Sequence, residues 1–99
     1  MSILNYIGTG RENAITRKEL ARLMDLPDRK VRNMIEAARR EGATIVNLGD
    51  GEGYYISDRL EELRHQYKMN NSRAMSILVQ QKHLRRRIKE LEAKNETQV

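Results

Sequence analysis

Between Thr16 and Ser57 the spacing of apolar residues changes from a helical period to an alternating one, and that change leaves few folds open to this chain. The run TRKELARLMDLPDRKVRNMIEAARREGATIVNLGDGEGYYIS reads as two short helices, a tight turn and a glycine-tipped hairpin. Thr16-Arg-Lys-Glu19 has the form of a capping box, in which the hydroxyl and the carboxylate each satisfy an unpaired amide at a helix start. Leu20, Ala21, Leu23 and Met24 then form one apolar stripe. Leu26 plugs the turn, and Pro27 suits the first turn of the next helix, where a missing amide proton costs nothing. From Asp28 to about Glu41 a second helix is predicted to bury Val31, Met34, Ile35 and Ala38. The 3.6-residue period then turns Arg29, Asn33, Glu36 and Arg40 outward, with Lys30 and Arg32 flanking them. Gly42 ends that helix. Ala43–Leu48 and Tyr54–Ser57 are β-type runs joined by Gly49-Asp-Gly-Glu-Gly53, which predicts a hairpin with Tyr54 and Tyr55 alternating between core and surface.

The flanks complete the plan. Residues 2 to 7 are expected as a short helix stopped by Gly8-Thr-Gly10. Residues 1–57 form the expected globular domain and residues 58–99 a C-terminal helical arm, capped by Asp58. Within the arm Leu60, Tyr67, Ala74, Gln81, Ile88 and Asn95 recur seven apart, and Leu63, Asn70, Ile77, Leu84 and Leu91 form a second series three residues later. Such a 3-4 alternation is what two helices need to bury a shared seam, and Ile77, Leu84, Ile88 and Leu91 are its cleanest stretch, hence the expected dimerisation residues. Asn70-Asn71-Ser72 favours caps and turns, so the arm is either one helix of ~55 Å or a helical hairpin. The fold class is therefore mainly α with a small β-hairpin, followed by a long helix or helical hairpin.

Composition narrows the function classes. The chain of 99 residues has no Cys, Phe or Trp, 33% charged residues and a net charge of +5. A molecule of that charge is drawn to polyanions. Residues 1 to 56 nevertheless hold nine Lys or Arg against eight Asp or Glu, so any nucleic-acid argument must rest on where the arginines lie. With no cysteine there is no disulfide framework and no thiolate metal site, which fits a reducing cytoplasm. His65 and His83 are isolated, so no metal or other cofactor is expected. The N-terminus lacks a basic region followed by an apolar run, and no apolar stretch is long enough to span a bilayer, so neither a signal peptide nor a membrane partner is expected. No nucleophile with a base partner, paired carboxylates or phosphate-cradling loop ending in Lys is present, which argues against an enzyme.

The order helix, turn, arginine-rich helix, Gly42, strand with Ile45, glycine-tipped loop, Gly53-Tyr54, strand resembles the winged helix-turn-helix of the biotin-repressor kind, which implies that Ala14-Ile15 is a brief strand pairing with the wing. Asp25 stands where that family usually has a glycine in the left-handed conformation, which Asp reaches at modest cost. Stand-alone short proteins of this plan are similar to those of phages and prophages. The resemblance implies a cytoplasmic, sequence-specific double-stranded DNA-binding protein, a transcription regulator whose helix 28–41 enters the major groove. Arg29 and Asn33 have the chemistry to read guanine and adenine edges, and Lys30, Arg32 and Arg40 to hold phosphates. A homodimer through the arm would bind two symmetric half-sites. Asp28 and Glu36 count against DNA, and the loop with Asp50 and Glu52 reads as a plain hairpin turn. Lys82, Arg85, Arg86, Arg87 and Lys89 could hold phosphates or form the solvated face of a coiled helix, with Arg87 opposite Glu92 of a second strand; the latter is preferred. The alternative, from another class, is a protein-interaction or assembly module, as in phage replication or packaging, that does not read DNA.

Overall fold

The computed structural model describes residues 2–49 and 51–97. Two compact units divide the chain, Met1–Gln66 and Tyr67–Val99. The elements are α1 (Arg17–Met24), α2 (Asp28–Arg40), β1 (Ile45–Val46), β2 (Tyr55–Ile56) and α3 (Leu60–Thr97), preceded by 3-10 turns at Ile3–Asn5 and Arg11–Asn13. The chain is thus mainly helical, with one small antiparallel hairpin and a long C-terminal helix.

Local chemistry sets both ends of the first two helices. The Thr16 hydroxyl accepts the Glu19 amide at 3.2 Å. The return bond expected of a capping box is not made: Glu19 is exposed and its carboxylate holds no hydrogen bond among the described residues. Asp25 ends α1 in the left-handed region at φ 52°, the conformation the resemblance implies there, with the Asp25 and Leu26 amides donating back to the Arg22 and Ala21 carbonyls. Gly42, at φ 109°, closes α2 by the same motif, its amide and that of Ala43 donating to Arg39 and Ala38. Pro27 sits one residue before α2, where it has no amide to waste.

One apolar cluster joins these pieces. Leu20 of α1, Val31, Ile35 and Ala38 of α2, Ile45, Tyr54, and Ile3 and Ile7 from the N-terminal segment are buried together, with Met24, Leu26 and Met34 half-buried around them. The helix expected over residues 2 to 7 is only the 3-10 turn at Ile3–Asn5, capped by the Ser2 hydroxyl. Too short to complete an α-helical turn, it still delivers Ile3 and Ile7 to the core.

The strands are shorter than the β-type runs that contain them. β1 and β2 pair antiparallel with Ile45 opposite Ile56 and Val46 opposite Tyr55. The other edge of β2 is occupied too: Thr9 bridges Ile56 in parallel, and Ile15 exchanges hydrogen bonds of 3.0 and 2.8 Å with Tyr54, the pairing expected of Ala14-Ile15. Gly53 permits this approach, because a Cβ there would collide with the Ile15 carbonyl.

Tyr54 and Tyr55 do not alternate between core and surface; both are buried, at 9% and 1% exposure. Both faces of this hairpin are covered. Tyr54 joins the main cluster, and the Tyr55 hydroxyl donates at 2.7 Å to Glu62 in the first turn of α3. Glu62 also accepts from the Ser57 hydroxyl at 2.7 Å, and Gln66, one turn later, accepts the Asn47 amide at 2.7 Å. Those bonds draw the start of α3 into the first unit. Asp58 does not cap the helix: α3 begins at Leu60, and the Arg59 amide donates instead to the Ser57 hydroxyl. The Asn70-Asn71-Ser72 segment does not break α3, so the arm is one helix and not a hairpin.

A candidate nucleic-acid interface on the second helix

α2 is positioned by its buried side. With Val31, Ile35 and Ala38 in the core, the 100° step of the helix leaves Arg29, Asn33, Glu36 and Arg40 on the opposite arc, and Lys30 and Arg32 beside it. All six are exposed. Among the described residues no hydrogen bond or ion pair engages Arg29, Lys30, Arg32, Asn33 or Arg40. Their donors face solvent.

Three other arginines of the same unit are engaged within it, Arg11 and Arg17 in ion pairs that stay largely exposed. Arg17 Nε donates to Asp28 Oδ1 at 2.5 Å and its Nη1 to the Tyr54 hydroxyl at 3.5 Å. The bond to Asp28, with help from Tyr54, raises the Arg17 pKa above its usual value. Arg11 Nε donates to Glu52 Oε2 at 2.7 Å, tying the second 3-10 turn to the hairpin loop. Arg39 Nε donates to the Ile45 carbonyl at 3.0 Å while its guanidinium lies 5.8 Å from the Tyr54 ring centre. Two of the carboxylates that count against a polyanion, Asp28 and Glu52, therefore carry an internal cation each. Glu36 stays exposed on the outward arc. Asp50 lies outside the described residues.

The near-neutral first unit is polarised by element. α1 and α2 carry eight Lys or Arg against three Asp or Glu, while the rest of residues 1 to 56 carries one against five. Sequence reasoning did not identify Arg11, Arg17 and Arg39 as the supporting set. Their partners lie 41, 11 and 6 residues away, and only the fold brings the first two together.

In the second unit Ile77, Leu84, Ile88 and Leu91 share one side of α3 and are 56%, 58%, 53% and 42% exposed. Lys82, Arg85, Arg86, Arg87 and Lys89 are exposed as well. Arg87 Nη1 donates to Glu90 Oε2 of its own chain at 3.0 Å, an exposed pair of little energetic weight. Among the described residues no group of three His, Cys, Asp or Glu could hold a metal, and no helix is long and apolar enough to cross a membrane. No protein-family model, curated protein or solved structure matches this chain.

Proposed function

We propose that residues 1–57 are a winged helix-turn-helix that binds double-stranded DNA sequence-specifically, with α2 in the major groove, and that the protein regulates transcription. The observation that carries this reading is the separation of duties among the arginines. Arg11 and Arg17 are paired with carboxylates and Arg39 with a backbone carbonyl, whereas Arg29, Lys30, Arg32, Asn33 and Arg40 lie exposed on one helix with no side-chain partner among the described residues. An Arg can donate two bonds to guanine and an Asn can exchange two with adenine, so Arg29 and Asn33 read bases, and Lys30, Arg32 and Arg40 hold phosphates. The loop between β1 and β2 supplies shape without cations, since Glu52 is taken by Arg11.

The stripe of Ile77, Leu84, Ile88 and Leu91 supports a second element of the proposal, a homodimer through α3. A helix exposed at every residue from Asn70 to Asn95 draws little stability there from packing, and an apolar stripe of this regularity is one that a second helix covers. Two reading helices related by a two-fold axis bind two half-sites in inverted order.

Titration against random and selected duplexes at two salt concentrations tests the reading. Affinity is expected to fall with salt, and selection is expected to return an inverted repeat. Arg29→Ala should cost about 1–3 kcal/mol on the preferred site and relax preference there, whereas Lys30→Ala should weaken all duplexes alike. Negligible affinity at both salt concentrations would favour a protein-interaction module instead.

A further inference from the structure

The arm carries a second polyanion surface, separate from α2. From Leu63 to Lys89 the chain has no Asp or Glu, yet it holds eight Lys or Arg. A solvated coiled-coil face ordinarily mixes both signs, so that i,i+4 neighbours attract. Here the i,i+4 pairs Lys82/Arg86 and Arg85/Lys89 repel, and Glu90, four residues after Arg86, is bonded to Arg87 instead. A stretch of this kind is stabilised by an external anion more than by its own side chains.

Because α3 is unbroken, its residues can be placed around a single axis at ~100° each. Ile77, Leu84, Ile88 and Leu91 then fall within an arc of ~60°, and Lys82, Arg85, Arg86 and Lys89 within an arc of ~100° centred ~140° away. The same four cations, with Val79 and His83, border one patch of surface. They are exposed, and no hydrogen bond or ion pair among the described residues engages them. A helix covering its apolar arc with a second copy would leave this cationic arc facing water.

We infer that Lys82, Arg85, Arg86 and Lys89 form a sequence-independent contact surface for the phosphate backbone of duplex DNA. The choice of ligand rests on the DNA-binding reading of α2; the choice of residues does not. Four uncompensated cations on one arc, with no Asn or Gln among them to read a base, suit phosphates as point charges.

The test uses the full chain and a random duplex, with binding followed as salt is raised. Replacing Lys82, Arg85, Arg86 and Lys89 together by Gln should reduce the slope of log K against log salt by about three to four for each arm that contacts the duplex, since each phosphate contact contributes about 0.9. Selected and random duplexes should weaken by the same factor. The double variant Arg85→Lys, Arg86→Lys should keep the parent slope, because charge and not fork geometry is being used. Sedimentation and circular dichroism of the Gln variant should match the parent, as the apolar arc is untouched. An unchanged slope overturns the inference even where selected duplexes are still preferred. A lost slope in a parent that shows no sequence preference upholds it while removing the base-reading role of α2. Binding to vesicles containing anionic lipid that depends on the four cations, with no change in the DNA slope, would assign the surface to membranes and overturn it.

Discussion

Residues up to Gln66 and residues beyond it are built on opposite principles. In the first unit a few apolar side chains touch one another from five separate segments, and polar groups that go inside are matched: Ser57 and Gln66 are buried and hydrogen-bonded. In the second, every residue from Asn70 to Asn95 is exposed, including six with large aliphatic side chains. The first unit meets the ordering cost of its backbone with its own core, whereas the second spends that cost on a helix with no core of its own. A chain keeps such a helix soluble by charge and holds it ready by an apolar stripe. Regular secondary structure is therefore no guide to which half is self-sufficient.

The comparison breaks most visibly at Leu20, which is fully buried. Leu20→Ala should destabilise the first unit by about 2–5 kcal/mol, most of the stability of a domain this size. Near-ultraviolet dichroism from Tyr54 and Tyr55 should vanish at lower denaturant than in the parent, while the arm, on the proposed dimer, should keep its helical signal. Simultaneous loss of both signals would show that the two units unfold as one.

Ile88→Asp attacks the other side of the comparison. A carboxylate placed in the seam lacks a partner, and roughly every 1.4 kcal/mol of that penalty weakens dimerisation tenfold, so a shift of a hundredfold or more is expected. Sedimentation equilibrium reads it directly. The first unit should retain its denaturation midpoint; a monomeric parent would remove the dimer and leave Ile88→Asp silent.

A smaller effect concerns the junction at Glu62. The Ser57 hydroxyl, and next the Tyr55 hydroxyl, hold its pKa below the ordinary 4.5. A group whose folded pKa is depressed stabilises the fold fully above its ordinary value and loses that contribution as pH falls through the lowered one. Melting temperature of the first unit should therefore decline below about pH 4.5 more in the parent than in Glu62→Gln. Equal declines would place the acid sensitivity elsewhere.

Short-range features were legible before the structure. Thr16 as a cap, Gly42 closing α2 and the buried stripe of Val31, Ile35 and Ala38 follow from chemistry within one or two turns, and the left-handed Asp25 from the resemblance in the turn. What escaped is what the fold decides at a distance. Tyr55 is buried because Glu62 and α3 come back over it, and no alternation rule contains that return. The 3-10 turn at Ile3–Asn5 shows apolar content surviving where helical period was read into too short a run. Asn70-Asn71-Ser72 looks like a break by propensity alone, but a helix already formed on both sides carries three weak residues at a cost of a few tenths of a kcal/mol each. At the candidate interface the outward arc of α2 was legible, and the pairing of Asp28 and Glu52 with Arg17 and Arg11 was not.

The bonds from Glu62 and Gln66 to the hairpin also bear on the order of events in time. Starting a helix is improbable, by a factor of about 10⁻³, because several residues must be fixed before one hydrogen bond is gained, whereas lengthening it is nearly neutral. The folded first unit fixes those opening turns of α3 in advance, so the remainder of the helix grows from a nucleus that already exists. A second helix meeting the apolar stripe would then encounter a formed surface and not a coil that must condense around it, so its association would not wait on a conformational change in this chain.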